Sequence, residues 1–161
     1  MSYKLDYSES APKVVERLAN EHREIESKLS RIGDICSNYE DGKLKVALSL
    51  LRVISTEILR HAVEEEAIVA RAIMRSEETR VQSGQSVKIL QAHREIKAFL
   101  EDRLPQLGRE KSEKEVRGEM LGFIHELAAH HRAEEEVLFP LALKADLLLE
   151  KNRRKNGAKS L

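Results

Sequence analysis

The sequence predicts an all-α fold: an up-down-up-down bundle of four helices with a short C-terminal helical segment. Three observations carry this reading. Apolar residues recur three and four apart through four long stretches. Trp is absent, and only 7 Gly and 3 Pro punctuate 161 residues. The connections are short, which favours antiparallel neighbours.

The first helix is expected from about Ser10 to Asn38, with the stripe Val15, Leu18, His22, Ile25, Leu29, Ile32 and Cys36. Pro12 suits its first turn, where a missing N–H costs nothing. The run Asn38-Tyr39-Glu40-Asp41-Gly42 signals a turn. The second helix is expected from about Lys43 to Arg75, along Leu44, Ala47, Leu51, Ile54, Ile58, His61, Glu65, Ile68 and Ala72. The polar run Ser76 to Gln85 forms the longest connection.

The third helix is expected over about Ser86 to Leu104, with Ile89, His93, Ile96 and Leu100 inward; Pro105 and Gly108 end it. Ser112-x-x-Glu115 resembles a capping box for the fourth. Its stripe is Val116, Met120, Phe123, Leu127, His130, Glu134, Val137 and Leu141. Pro140 should kink or end that helix, since it removes a backbone donor and clashes with the previous turn. Ala142 to Glu150 then forms the short terminal segment. Residues 10–75 and 86–150 look like two helical hairpins related by duplication.

The length suits one domain, residues 1–161, with its bundle at about 10–141. Lys+Arg 28 balance Asp+Glu 28, which gives no general attraction to nucleic acid or to an anionic membrane. The last eleven residues, 151–161, are basic, with Lys151, Arg153, Arg154, Lys155 and Lys159, and read as a frayed, solvated tail. One cysteine, Cys36, excludes a disulfide framework or a thiolate metal cluster within one chain, and it reads as core packing. No apolar run reaches a membrane-spanning length. Met1-Ser2-Tyr3-Lys4 starts no signal peptide, so a cytoplasmic location is expected.

The chemistry lies in a repeated pattern. His22 precedes His61-x-x-x-Glu65 by 39 residues, and His93 precedes His130-x-x-x-Glu134 by 37. The lone histidines share the sequence His-Arg-Glu-Ile, at 22–25 and 93–96. All six polar residues interrupt the inward seam, and residues four apart on a helix point to one centre. Desolvating an ionised Glu costs several kcal/mol unless it is paired or binds a metal. The inward stripes hold no Lys or Arg, so a metal is the expected source of positive charge.

His22, His61, His93 and His130 are therefore expected as terminal ligands, and Glu65 and Glu134 as bridges between two ions. Nitrogen with carboxylate oxygen suits iron, manganese or zinc. Glu66 or Glu135 would replace its neighbour if the helix were distorted. Glu21, Glu57 and Glu126 are candidates to orient ligand imidazoles from behind. His125 and His131 fall off the seam and are expected at the surface. A ferritin-like oxidase is disfavoured, because it uses Glu-x-x-His and no seam histidine has Glu three residues before it.

These residues resemble the haemerythrin-like, His-His-Glu cation-binding family, from about Ser10 to Leu141. The segment His130-His131-Arg132-Ala133-Glu134-Glu135-Glu136-Val137-Leu138-Phe139-Pro140 is similar to that family's last-helix signature. The resemblance implies a four-helix bundle around two non-haem iron ions, oxo- or hydroxo-bridged, with O2, NO or peroxide as small ligands. It also implies a role in oxidative or nitrosative stress or in iron handling; a metal-dependent regulatory module is the alternative. The oxygen carriers of the family have a second His where this chain has Lys97, and an Asp where it has Glu135. The four-His, two-Glu set is closer to the iron-centre repair di-iron proteins.

Overall fold

A computed structural model describes residue 5 and residues 7–38, 42–109 and 112–159, with side chains as far as residue 157. The chain forms helix α1 (Ala11–Ser37) and then α2 (Leu44–Glu64), which runs through a π-helical turn, Glu65–Val69, into α3 (Ala70–Arg75). A short α4 (Glu77–Val81) precedes α5 (Gly84–Ala98), a second π turn (Phe99–Arg103) and α6 (Leu104–Leu107). The last rod is α7 (Glu113–Ala133), a third π turn (Glu134–Leu138) and α8 (Phe139–Lys159). Among the described residues the architecture is all-α, a helical bundle. Among the described residues no helix is long and apolar enough to cross a membrane.

Local signals fix the ends. Pro12 sits in the first turn of α1. Gly42 has φ 74°, a left-handed conformation that a side chain disfavours, and it leads into α2. Residues 39–41 of the expected turn, like Met1 to Lys4, lie outside the described residues. The Ser112 hydroxyl accepts from the Glu115 backbone N–H at 3.3 Å, so the cap opens α7.

Two apolar clusters form the core. The larger joins α1, α2, α5, α6 and α7 around Ile25, Leu29, Leu51, Leu104, Met120 and Leu127. The smaller joins the start of α1, the end of the second rod and the start of α8, around Val14, Leu18, Val69, Ile73 and Leu138. Along α1 they are divided at His22, along the second rod at His61–Glu65, and along the last rod at His130–Glu134.

Several expectations are corrected. The inward stripe slips by one residue after each buried glutamate. Val69 and Leu138 are buried in place of Ile68 and Val137, and Ala142 in place of Leu141. The cause is the π turn, which bonds i to i+5 and so spends one extra residue per turn. The Ala70 N–H donates to the Glu65 carbonyl, and the Phe139 N–H to that of Glu134.

The same device explains why Pro140 does not end the last helix. The π turn has already displaced the hydrogen-bond ladder where the proline N–H is missing, and α8 runs on to Lys159. Pro105 likewise follows the π turn Phe99–Arg103, and the third rod continues to Leu107. The connection Ser76–Gln85 contains α4, and the basic stretch is helical and exposed rather than frayed, with Lys159 beyond the described side chains.

Leu51 is fully buried in the larger cluster. Leu51→Ala is expected to destabilise the protein by about 2–5 kcal/mol, read as a lower urea midpoint at unchanged slope. A change under about 1 kcal/mol would mean that this core relaxes around a cavity.

Candidate metal centre

Between the two apolar clusters the four rods bring polar side chains to one level. His22 comes from α1, His61 from the last turn of α2, and Glu65 from the start of the first π turn. His93 comes from the middle of α5, and Glu134 from the start of the third π turn. His130 and His131 both come from the last turn of α7. Glu65 is 1 % exposed and Glu134 not at all.

The imidazoles stand against one another. Ring centroids are 4.5 Å apart for His22 and His61, and 4.8 Å for His93 and His130. Donor atoms gather into two groups, each within 4.8 Å: His22, His61, His131 and Glu134; and Glu65, His93, His130 and Glu134. Glu134 is common to both. Its Oε2 lies 3.9 Å from His22 Nε2 and its Oε1 4.0 Å from His93 Nε2. Glu65 Oε1 lies 3.0 Å from His61 Nε2 and 3.7 Å from His93 Nε2.

His131 is the residue that sequence reasoning missed. It was expected at the surface, yet it is 2 % exposed and stacked on His22, with centroids 3.9 Å apart. The buried seam of α7 runs Phe123, Leu127, His131, Glu134, so two four-residue steps carry it to His131 while His130 flanks it. A helix facing two neighbours buries a wider stripe than every third and fourth residue. That width was the available signal. His125 is exposed.

Carboxylates hold three imidazoles from behind. Nδ1 of His61 is bonded to Glu21 at 2.9 Å, that of His93 to Glu66 at 3.0 Å, and that of His22 to Glu135 at 3.2 Å. A carboxylate accepts only, so each of these Nδ1 atoms carries a proton, and Nε2 is the atom left for the interior. Glu66 and Glu135 thus serve as outer acceptors; their side chains are 54 % and 42 % exposed. Glu57 pairs with Lys28 at 2.8 Å instead, and Glu126 is exposed without a hydrogen bond. Glu21 is braced by Arg17 at 3.2 Å and Arg60 at 3.4 Å, and Arg17 also bonds the buried Glu64.

One buried cation does exist. Arg117 is 2 % exposed, but it donates to the Ile35 carbonyl in the other cluster and is not an ion-pair partner of Glu65 or Glu134. The basic groups within ion-pair distance of those two glutamates are histidines.

The donors fit a cation. Nε2 of His22, His61, His93 and His130, Oε2 of Glu65 and both carboxylate oxygens of Glu134 are buried without a hydrogen-bond partner. An orphaned buried polar atom costs about 1–3 kcal/mol, and natural cores hold few. Seven aimed at one place fit a positive ion, or a pair of them.

The electrostatics agree. Burial, with His61 and His130 nearby, pushes the His22 imidazole down to about 3. Burial with His93 and His61 does the same to His130, and His131 is held lower still. All three are neutral at physiological pH and free to ligate. Burial also lowers His61, but the Glu21 and Glu65 carboxylates outweigh it and lift the group to about 9. Burial raises the Glu65 carboxyl.

Residues 86–158 match the family model of the hemerythrin HHE cation binding domain. Over those residues the chain is similar to a cation-binding domain of that family. The matched residues include His93, His130, His131 and Glu134; His22, His61 and Glu65 repeat the pattern before them. No curated protein and no solved structure matches the chain.

Acid should loosen the metal-free protein. An unfolded histidine titrates near about 6.5, whereas His22 and His130 titrate at about 3 when folded. Between these values the unfolded chain binds more protons, so stability falls as pH falls through that window. His61 has the opposite sign, but its contribution is constant below its unfolded value and is lost only as pH rises through about 9. The urea midpoint of chelator-treated protein is expected to drop steadily from about pH 6.5 to about pH 4. A flat profile would mean that these imidazoles are open to solvent without metal.

Proposed function

We propose that the protein holds two non-haem iron ions and binds or reacts with O2, NO or peroxide, in oxidative or nitrosative stress or in iron handling. The observation that carries this is the set of orphaned, buried nitrogen and carboxylate donors in two groups that share Glu134. In this reading His22, His61, His93 and His130 are terminal ligands, and Glu65 and Glu134 bridge. The facing of the two Glu134 oxygens toward different histidines supports its bridging role. Each group offers four protein donors, fewer than six-coordinate iron accepts, which leaves room for a small ligand.

Iron would supply one-electron redox chemistry and exchangeable coordination positions. The chain's own residues do the rest. Glu21, Glu66 and Glu135 fix ring orientation and tautomer through Nδ1. The apolar clusters on either side keep bulk water from the donors. Two clefts have site histidines in their lining. One of about 310 Å³, between α5 and α7, is lined by Phe99, Phe123 and His130 among others. The other, of about 930 Å³, lies between α2 and α5 and has Glu66 and His93 in its lining.

The test is metal content per chain on anaerobically purified protein, followed by an absorption spectrum after air is admitted. About two irons with an oxygen-to-iron charge-transfer band is the expected result. Zinc or manganese alone, even after reconstitution with iron, would sink the redox reading and leave a cation-binding bundle.

A further inference from the structure

Carboxylates back three of the site's imidazoles, and one of those carboxylates is itself held. Glu66 and Glu135, behind His93 and His22, are half-exposed, and among the described residues neither has a Lys or Arg within ion-pair distance. Glu21, behind His61, has a side chain only 13 % exposed, and it meets two arginines. Its two oxygens divide the work. Oε2 accepts from His61 Nδ1 at 2.9 Å, while Oε1 accepts from Arg17 at 3.2 Å and from Arg60 at 3.4 Å.

Arg17 is the centre of this cluster. Its Nη1 also donates to buried Glu64, and its Nη2 donates to Glu9 at 3.1 Å. One guanidinium thus ties the chain just before α1, the middle of α1 and the last turn of α2. Arg17 and Glu21 are four residues apart, so they share a helix face. The Arg17 side chain is 34 % exposed, and ion pairs this open to water add little stability. What a rigid fork of donors adds is direction. With Oε1 tied to two guanidinium groups, the Glu21 carboxylate keeps Oε2 on the ring.

The ring is gripped at both nitrogens, since His61 Nε2 lies 3.0 Å from Glu65 Oε1. Glu65 is itself a candidate ligand, so the grip that does not compete with a cation is the one from Glu21. Resting on the metal-binding reading above, we propose that Arg17 is a positioning residue for His61. Acting through Glu21, it turns the ring so that Nε2 faces the donor layer before any ion arrives. A donor set held in place in advance binds more tightly than one that must be ordered on binding.

The experiment uses the full chain in two forms. In chelator-treated, isotope-labelled protein, NMR follows solvent exchange of the His61 Nδ1–H, with those of His22 and His93 as internal references. Arg17→Met keeps the aliphatic stem and removes the fork. It is expected to speed exchange at His61 and to leave the other two as in wild type, whereas a merely structural role would move all three or none. In anaerobic protein, ferrous iron affinity is measured by competition with a chelator. Arg17→Met is expected to weaken it by about tenfold or more. Arg17→Lys keeps the charge without the fork and is expected to fall between. Lys28→Met breaks another ion pair between α1 and α2, to Glu57, and is the control expected to match wild type. Should Arg17→Met misfold, Arg60→Met, which frees the same Glu21 oxygen, is read in its place. A folded variant with His61 exchange and iron affinity unchanged would overturn the positioning role and leave the metal reading standing. Failure of the wild-type chain to bind iron or another divalent cation would overturn both.

Discussion

A layer of buried, mutually repelling donors is the constraint on which this bundle is built. Five imidazoles and two carboxylates occupy a level where a four-helix bundle would otherwise place leucine and isoleucine. The apolar core is accordingly divided, with one cluster around Leu51 and Met120 and another around Leu18 and Leu138. Each orphaned atom in the layer costs about 1–3 kcal/mol, and a domain's whole stability is about 5–15 kcal/mol. The clusters on both sides must therefore clamp the layer, which explains why every rod contributes to it from mid-length with apolar residues above and below.

The π turns solve the geometry that the layer imposes. A glutamate four residues after a histidine reaches the same centre only if both face inward, and the next apolar residue must then face inward too. In a regular α-helix that residue would be Ile68 or Val137. The wider turn that begins at each glutamate brings Val69 and Leu138 in instead. π turns are rare and concentrate at functional positions. Here two of the three begin on a buried donor, and the third and the second are each followed by a proline whose missing N–H the altered ladder absorbs.

Much of this was legible in the sequence, for a definite reason. The three- and four-residue apolar spacing set the rods. The histidines and glutamates stood out because they interrupt that spacing, and a polar residue in a buried seam demands a chemical account. What could not be read were features without a period of their own. His131 adjoins a stronger candidate, and adjacent residues on a helix lie about 100° apart, so the rule that selected His130 rejected its neighbour. The one-residue slip after Glu65 and Glu134 cannot be seen in a stripe that is itself apolar on both candidate faces. The division of roles, with Glu65 and Glu134 inward and Glu66 and Glu135 behind the rings, depends on which residue opens the turn.

The outer acceptors show why the halves need each other. Glu66 of the first half holds His93 of the second, and Glu135 of the second holds His22 of the first. These pairs occupy matching positions in the two halves, and both cross between them. Neither hairpin contains the acceptor for its own lone histidine. A single hairpin would therefore carry a His-x-x-x-Glu pair and a lone histidine free to rotate. Only the assembled bundle turns Nε2 of both lone histidines to the interior. The same crossing is at work in Glu134, whose two oxygens face histidines of different halves. The donor layer that divides the core is thus also what joins the two hairpins across it.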